Sequence, residues 1–208
     1  MEKPIPFNTE EVKATLDGRK TMVHWPVKPQ PPDNSKWIGW LSDSTARTDN
    51  KLIGCACWEG GNKVFHYAKP PWAVGDVLLV KEAWQNIKEE ADDGSSDIYN
   101  NFLYYADDLD NAIKWRSSVH MPHEAARIFL SVVNVAIERL MDISEEDAKA
   151  EGISYDMAGG FNKWGPTYND PDSGGQPDYI EAFKCLWDEI YSDKYPWVEV
   201  TTFERIKP

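Results

Sequence analysis

Several groupings of side chains in this sequence are of types that do chemistry. His120, His123 and Glu124, within His-Met-Pro-His-Glu, are three donors for a cation, but Pro122 denies them the i, i+4 spacing of a helical face. Cys55 and Cys57, with His66 across a hairpin, offer part of a zinc site. Closed structural zinc sites take four ligands, and a cysteine in a strand more often serves as a small buried apolar residue, so no metal and no cofactor is expected. Arg19, Lys81, Arg116 and Arg127 are cations able to hold a phosphate, or simply to solvate a surface. Trp25, Trp84 and Trp115 are flat enough to stack on a base and equally suited to a core.

Composition narrows the choice. Among 208 residues, 35 are acidic and 22 basic, a net charge of −13. Broad gripping of duplex phosphates needs an excess of Lys and Arg, so a nucleic-acid ligand here would be a short single strand or a nucleoside in a pocket. An odd count of three cysteines and no apolar leader after Met1 predict a soluble chain of the reducing cytoplasm. No run reaches the roughly 18 apolar residues of a membrane helix, so no membrane partner is expected. Ten Trp predict a core with aromatic-lined surfaces.

The elements that must position these residues follow from pattern. Pro4 to Asn8 reads as a short strand, and Thr9 as the N-cap of a helix carrying Val12 and Leu16 on one face and ended by Gly18. Lys20 to Val27 is β-like and runs into a Pro-rich stretch. Residues 33 to 73 read as an insertion whose two short strands flank Gly60-Gly61-Asn62. A turn at Gly75-Asp76 feeds an apolar strand continuing to Trp84; residues 88 to 97 are an acidic loop, and Phe102 to Tyr105 a returning strand. β-branched alternation predicts a strand from Arg127 to Leu140. Ser144 caps a helix that runs to Glu151 and is stopped by Gly152. Residues 154 to 177 form a long loop around Trp164; Asp178 to Tyr191 is an amphipathic helix and Trp197 to Ile206 a closing strand. The sum is one α+β domain spanning 1–208.

Four of these motifs, in this order, resemble the ASCH domain of the PUA-like superfamily: Leu16-Asp17-Gly18-Arg19-Lys20-Thr21, Val74 to Glu82, Ile143 to Gly152, and Trp197 to Phe203. The stretch from Trp115-Arg116 to His120-Met121-Pro122 is similar to the longer, phage- and prophage-encoded members. The resemblance implies a small, mostly antiparallel PUA-like β-barrel with about three flanking helices and a cleft beside the Gly-Arg-Lys-Thr turn. It implies a nucleobase, nucleoside or single-stranded RNA ligand, with Arg19, Thr21, Lys81, Glu82, Trp84, Arg116 and Arg127 around it. In some members it extends to hydrolysis of N4-acetylcytidine, for which Lys20 and Glu151 stand at the catalytic Lys and Glu positions. The position of the third residue, a Thr, is Val23 here, which cannot act as a nucleophile.

Three functions follow as expectations. The first is a binding module for a nucleobase, nucleoside or short single-stranded RNA, its cleft near Lys20 and Glu151. The second is an amidohydrolase of a modified nucleoside using those two residues. The third is a phage-borne acidic protein acting in the bacterial cytoplasm on a host protein. A plainer role for Lys20 and Glu151 is an ion pair that ties strand to helix.

Overall fold

A computed structural model describes residues 1–41, 52–90, 98–107, 113–153, 179–191 and 196–207. The chain is α+β. A five-stranded sheet has the order β1 (Glu2–Pro6), β6 (Val77–Lys81), β9 (Phe129–Arg139), β10 (Trp197–Ile206) and β2 (Met22–Pro26). Its β1–β6 pair is parallel and its other three are antiparallel. Two smaller sheets accompany it: β3 (Lys36–Trp40), β4 (Ala56–Glu59) and β5 (Phe65–Ala68), and the ribbon of β7 (Trp84–Glu90) with β8 (Ile98–Tyr104). The helices are α1 (Thr9–Leu16), α2 (Glu145–Ala150) and α3 (Tyr179–Ile190). No helix among the described residues is long and apolar enough to cross a membrane.

The main sheet is covered on both faces, and strand alternation sorts the residues. On β2, Val23 and Trp25 join a core with Ile5, Phe7, Val12, Trp72, Leu130 and Phe203, while Met22 packs on the opposite side with α2 and α3. On β10, Val198 and Val200 face those helices, and Trp197 and Phe203 face the other way. On β9 the parity changes midway. Leu130 and Val132 share a face with Val135 and Ile137, because a bulge between Thr202 and Phe203 leaves Val133 unpaired and exposed.

Sequence-based boundaries shift in places. α1 is capped by Asn8, whose side chain accepts from Glu11 N while Glu11 answers to Asn8 N, so the cap lies one residue before Thr9. The apolar segment from Val77 breaks after Lys81, and Trp84 begins β7. The hairpin around Gly60-Gly61-Asn62 forms, and β3 adds to it as a strand that its polar flanks concealed. The described strands do not close into a barrel. The outer strands of the sheet carry Pro4, Pro6 and Pro26, which have no N–H to donate to a further strand. β7 runs on to Glu90, into the start of the acidic loop expected at 88–97; the rest of that loop, the predicted loop at 154–177 and part of the 33–73 region lie outside the described residues.

Candidate functional site

The turn between α1 and β2 docks on the C-terminal end of α2. A helix leaves its last carbonyls without intrahelical partners. Here Thr21 N donates to Ala150 O at 2.8 Å, Lys20 Nζ to Glu151 O at 3.1 Å, and Arg19 Nη1 to Gly152 O at 2.6 Å. Consecutive residues of Gly-Arg-Lys-Thr thus satisfy consecutive carbonyls, and two bring positive charge to the helix end. Gly152 is required at this contact. Its φ is +92°, and a Cβ there would lie 2.7 Å from Ala14 Cβ and 3.0 Å from Lys20 Cβ.

Lys20 and Glu151, 131 residues apart in sequence, therefore meet, and both are buried. The ammonium bonds the Glu151 carboxylate and its carbonyl, and pairs with Glu11 Oε1 at 3.5 Å. An ammonium has three N–H donors, so these three acceptors saturate it. The second carboxylate oxygen of Glu151 accepts from His24 N at 2.5 Å and His24 Nδ1 at 2.7 Å. Burial opposes both charges. For Glu151 the charge of Lys20 and the bonds from His24 outweigh it, and its carboxyl is held down at about 2. For Lys20, Glu151 and Glu11 outweigh it and the pKa is raised. Both groups are thus fixed in their charged forms.

The other sequence-predicted residues gather around β6 and β7. Glu82 is buried and takes a two-pronged contact from Arg127, Nε to Oε1 at 2.9 Å and Nη2 to Oε2 at 3.0 Å. Arg127 also bonds Asp107 at 2.9 Å and lies 3.8 Å from the centre of the Tyr104 ring. Lys81 Nζ donates to Met121 O at 2.8 Å. Trp84 is buried against Met121 and Ala125, with the exposed Arg116 guanidinium 5.2 Å from its ring centre. Arg19 and Thr21 join Lys20; Lys81, Glu82, Trp84, Arg116 and Arg127 form this second group, whose cations Lys81 and Arg127 are engaged within the protein. Thr21 contributes its backbone and leaves its side chain exposed. His66 pairs with Trp58 on β4, whereas Cys57 pairs with Tyr67, so the hairpin register sets His66 and Cys57 on opposite faces. No metal-holding group of His, Cys, Asp and Glu occurs among the described residues.

Across β2 from His24, a cavity of about 390 Å³ opens beside Trp25. Neither Lys20 nor Glu151 lines it. Trp25 and Trp72 meet edge to face in its wall, ring centres 5.5 Å apart at 83°. Pro4, Pro6, Pro70 and Pro71 add rigid apolar surface, Ala56 and Ala68 belong to the smaller sheet, and Lys28 and Lys69 are exposed lining residues. Glu199, near the start of β10 and paired in register with Trp25 and Ile137, lines it too and is 3 % exposed. Its Oε1 accepts from Thr201 Oγ1 at 3.1 Å. Burial pushes its carboxyl up to about 7, only partly offset by Thr201 and the charge of Lys3.

Of this cavity, sequence reasoning names Trp25 alone. Trp72, Glu199, Lys28 and Lys69 were missed. A signal existed for Glu199: it shares a strand face with Trp197 and Phe203, both apolar, so a carboxylate there is out of place. Compared with models of protein families, with curated proteins and with solved structures, the chain has no match.

Proposed function

We propose that this chain is a binding module for a nucleobase or nucleoside, free or at the end of a short single strand, and that the cavity beside Trp25 is where the base sits. One observation carries the reading: a cavity with indole walls that contains one buried carboxyl. Ligand pockets commonly span roughly 300–1,000 Å³, mostly apolar, with few polar groups fixing orientation, and about 390 Å³ falls within that range. Indole faces stack on any base, and Lys28 and Lys69 can meet a ribose or phosphate. The resemblance to the ASCH domain supports the same reading, since β2, which leaves the Gly-Arg-Lys-Thr turn, carries Trp25 into the cavity. On this reading the mixed sheet is a PUA-like scaffold.

Hydrolysis by Lys20 and Glu151 has less support. A general acid–base pair needs groups that change protonation near neutral pH, and this ammonium and carboxylate hold each other charged. Their contacts support an architectural role, joining α1 and β2 to α2.

Calorimetric titration with the common nucleosides tests the proposal. Binding is expected to the wild-type protein and to be lost in Ala68→Leu, which fills the cavity while leaving the indoles in place. Equal affinity in both proteins would overturn it.

A further inference from the structure

We infer that Glu199 reads the edge of the base as a neutral carboxylic acid, so that the base is one presenting an acceptor beside an N–H, as adenine and cytosine do, and leaves when Glu199 ionises. The inference rests on the base-binding reading above and assigns the polar contact within it.

The geometry points there because Glu199 is alone. Its Oε1 is engaged by the Thr201 hydroxyl at 3.1 Å, and among the described residues no donor reaches Oε2. The groups facing it from neighbouring elements are few. Ile137 on β9 is apolar, and Trp25 on β2 brings a buried indole N–H that makes no hydrogen bond among the described residues, to Glu199 or to any other group. Lys3 on β1 contributes charge from a distance, but its ammonium is taken by Asp76 at 2.7 Å and by Pro71 O at 2.7 Å. Lys28 and Lys69 also line the cavity, with their residues exposed to water. His24, next to Trp25, points to the other face of β2, where it binds Glu151. An ionised carboxylate on an apolar wall with one hydroxyl for company lacks the pairing that buried charges require. The raised pKa of about 7 is consistent with this isolation.

Protonation changes what the carboxyl can recognise. A neutral acid has one O–H donor and one carbonyl acceptor side by side, whereas the carboxylate accepts only. The acid thus complements any base edge that sets an acceptor next to an N–H: N1 and N6 of adenine, N3 and N4 of cytosine, N3 and O4 of uracil, and N1 and O6 of guanine, so it is ionisation that separates the bases. The carboxylate complements only two adjacent N–H donors, which among the common bases guanine alone presents, at N1 and N2. A mismatched edge leaves buried polar groups unpaired, and that gives discrimination its size.

Calorimetric titration of the intact protein with adenosine, cytidine and guanosine at pH 6 and pH 8.5 is the test, repeated with Glu199→Gln. The carboxamide keeps one donor and one acceptor at every pH and has nearly the same shape, and thermal unfolding verifies that the variant is folded. For the wild type, adenosine and cytidine should weaken on the order of tenfold or more between the two pH values, as each pH unit above the pKa costs about tenfold; guanosine should hold or tighten. In Glu199→Gln the adenosine and cytidine affinities should stay at their pH 6 level throughout. Nucleosides that bind equally at both pH values, or a variant that keeps the wild-type pH profile, would overturn the role of Glu199 and leave the base cavity standing. No binding by any nucleoside at either pH would instead overturn the base-binding reading itself.

Discussion

Two glutamates, each buried and each paired with or beside β2, end in opposite electrostatic states. Glu151 is ringed by the Lys20 ammonium and two N–H groups of His24, and its pKa falls to about 2. Glu199 has the Thr201 hydroxyl and an open cavity, and its pKa rises to about 7. Burial pushes both carboxyls upward; the number of donors aimed at each decides the sign. The lesson is about where function resides. A buried charge with every bond made is fixed and architectural, whereas a buried group with bonds to spare can still respond to a ligand or to pH.

The contrast can be broken most forcefully at Lys20. Lys20→Met removes the cation and leaves the buried Glu151 carboxylate and the half-buried Glu11 without it, so it should cost about 3–5 kcal/mol in urea unfolding at pH 7. A loss below about 1 kcal/mol would show that the ion pair is not what holds the turn to α2. Next in size is Glu199→Gln, with the opposite sign. Because the folded pKa of Glu199 is raised, folding gains from its protonation at low pH, and that gain disappears as pH rises through about 7. At about 1.4 kcal/mol per pH unit, the variant should gain on the order of 3 kcal/mol over the wild type at pH 8 relative to pH 4. Glu151 acts on the other limb. Its folded pKa is depressed, so its contribution is present above the unfolded value and is lost as pH falls toward about 2. Stability of Glu199→Gln should therefore keep the acid fall of the wild type while losing its decline between about pH 4.3 and 7. Gly152→Ala should cost about 1–3 kcal/mol, from a left-handed backbone and a Cβ pressed on Ala14. Smallest is Arg19→Ala, about 1 kcal/mol, since one hydrogen bond to Gly152 O goes and the residue is partly exposed.

Much of the first glutamate's setting is legible in sequence, and little of the second's. Capping residues and glycines mark α1 and α2 locally, because Ser144, Gly18 and Gly152 act on their own backbone neighbours, although at α1 the pattern points to Thr9 and the cap is Asn8, one residue earlier. The meeting of Lys20 with Glu151 is reached through the order of motifs and agrees with the structure. His24 and Glu11, which complete that network, carry no such mark: one is a strand residue and the other a capping-box acid that also reaches Lys20. The cavity depends on long-range register. Trp25 faces Trp72 only because β2 pairs with β10 and the chain after β5 returns past them, and no local pattern encodes that. The parallel addition of β1 to β6 is hidden for the same reason, since parallel pairing needs a long connection rather than a turn. The β9 bulge, by contrast, is written in the Val132-Val133 doublet, where alternation breaks.

The smaller three-stranded sheet is held to the main one by a trio of indoles, Trp37, Trp58 and Trp197, with ring centres 5.1 to 6.2 Å apart. Ala56 and Ala68 of that same sheet line the cavity. Whatever fills the cavity therefore touches this sheet as well as the main one, and occupancy should resist its transient detachment. Amide deuterium uptake in β4 and β5 becomes a remote gauge of ligand, slowing in proportion to saturation while the helices behind the main sheet exchange as before.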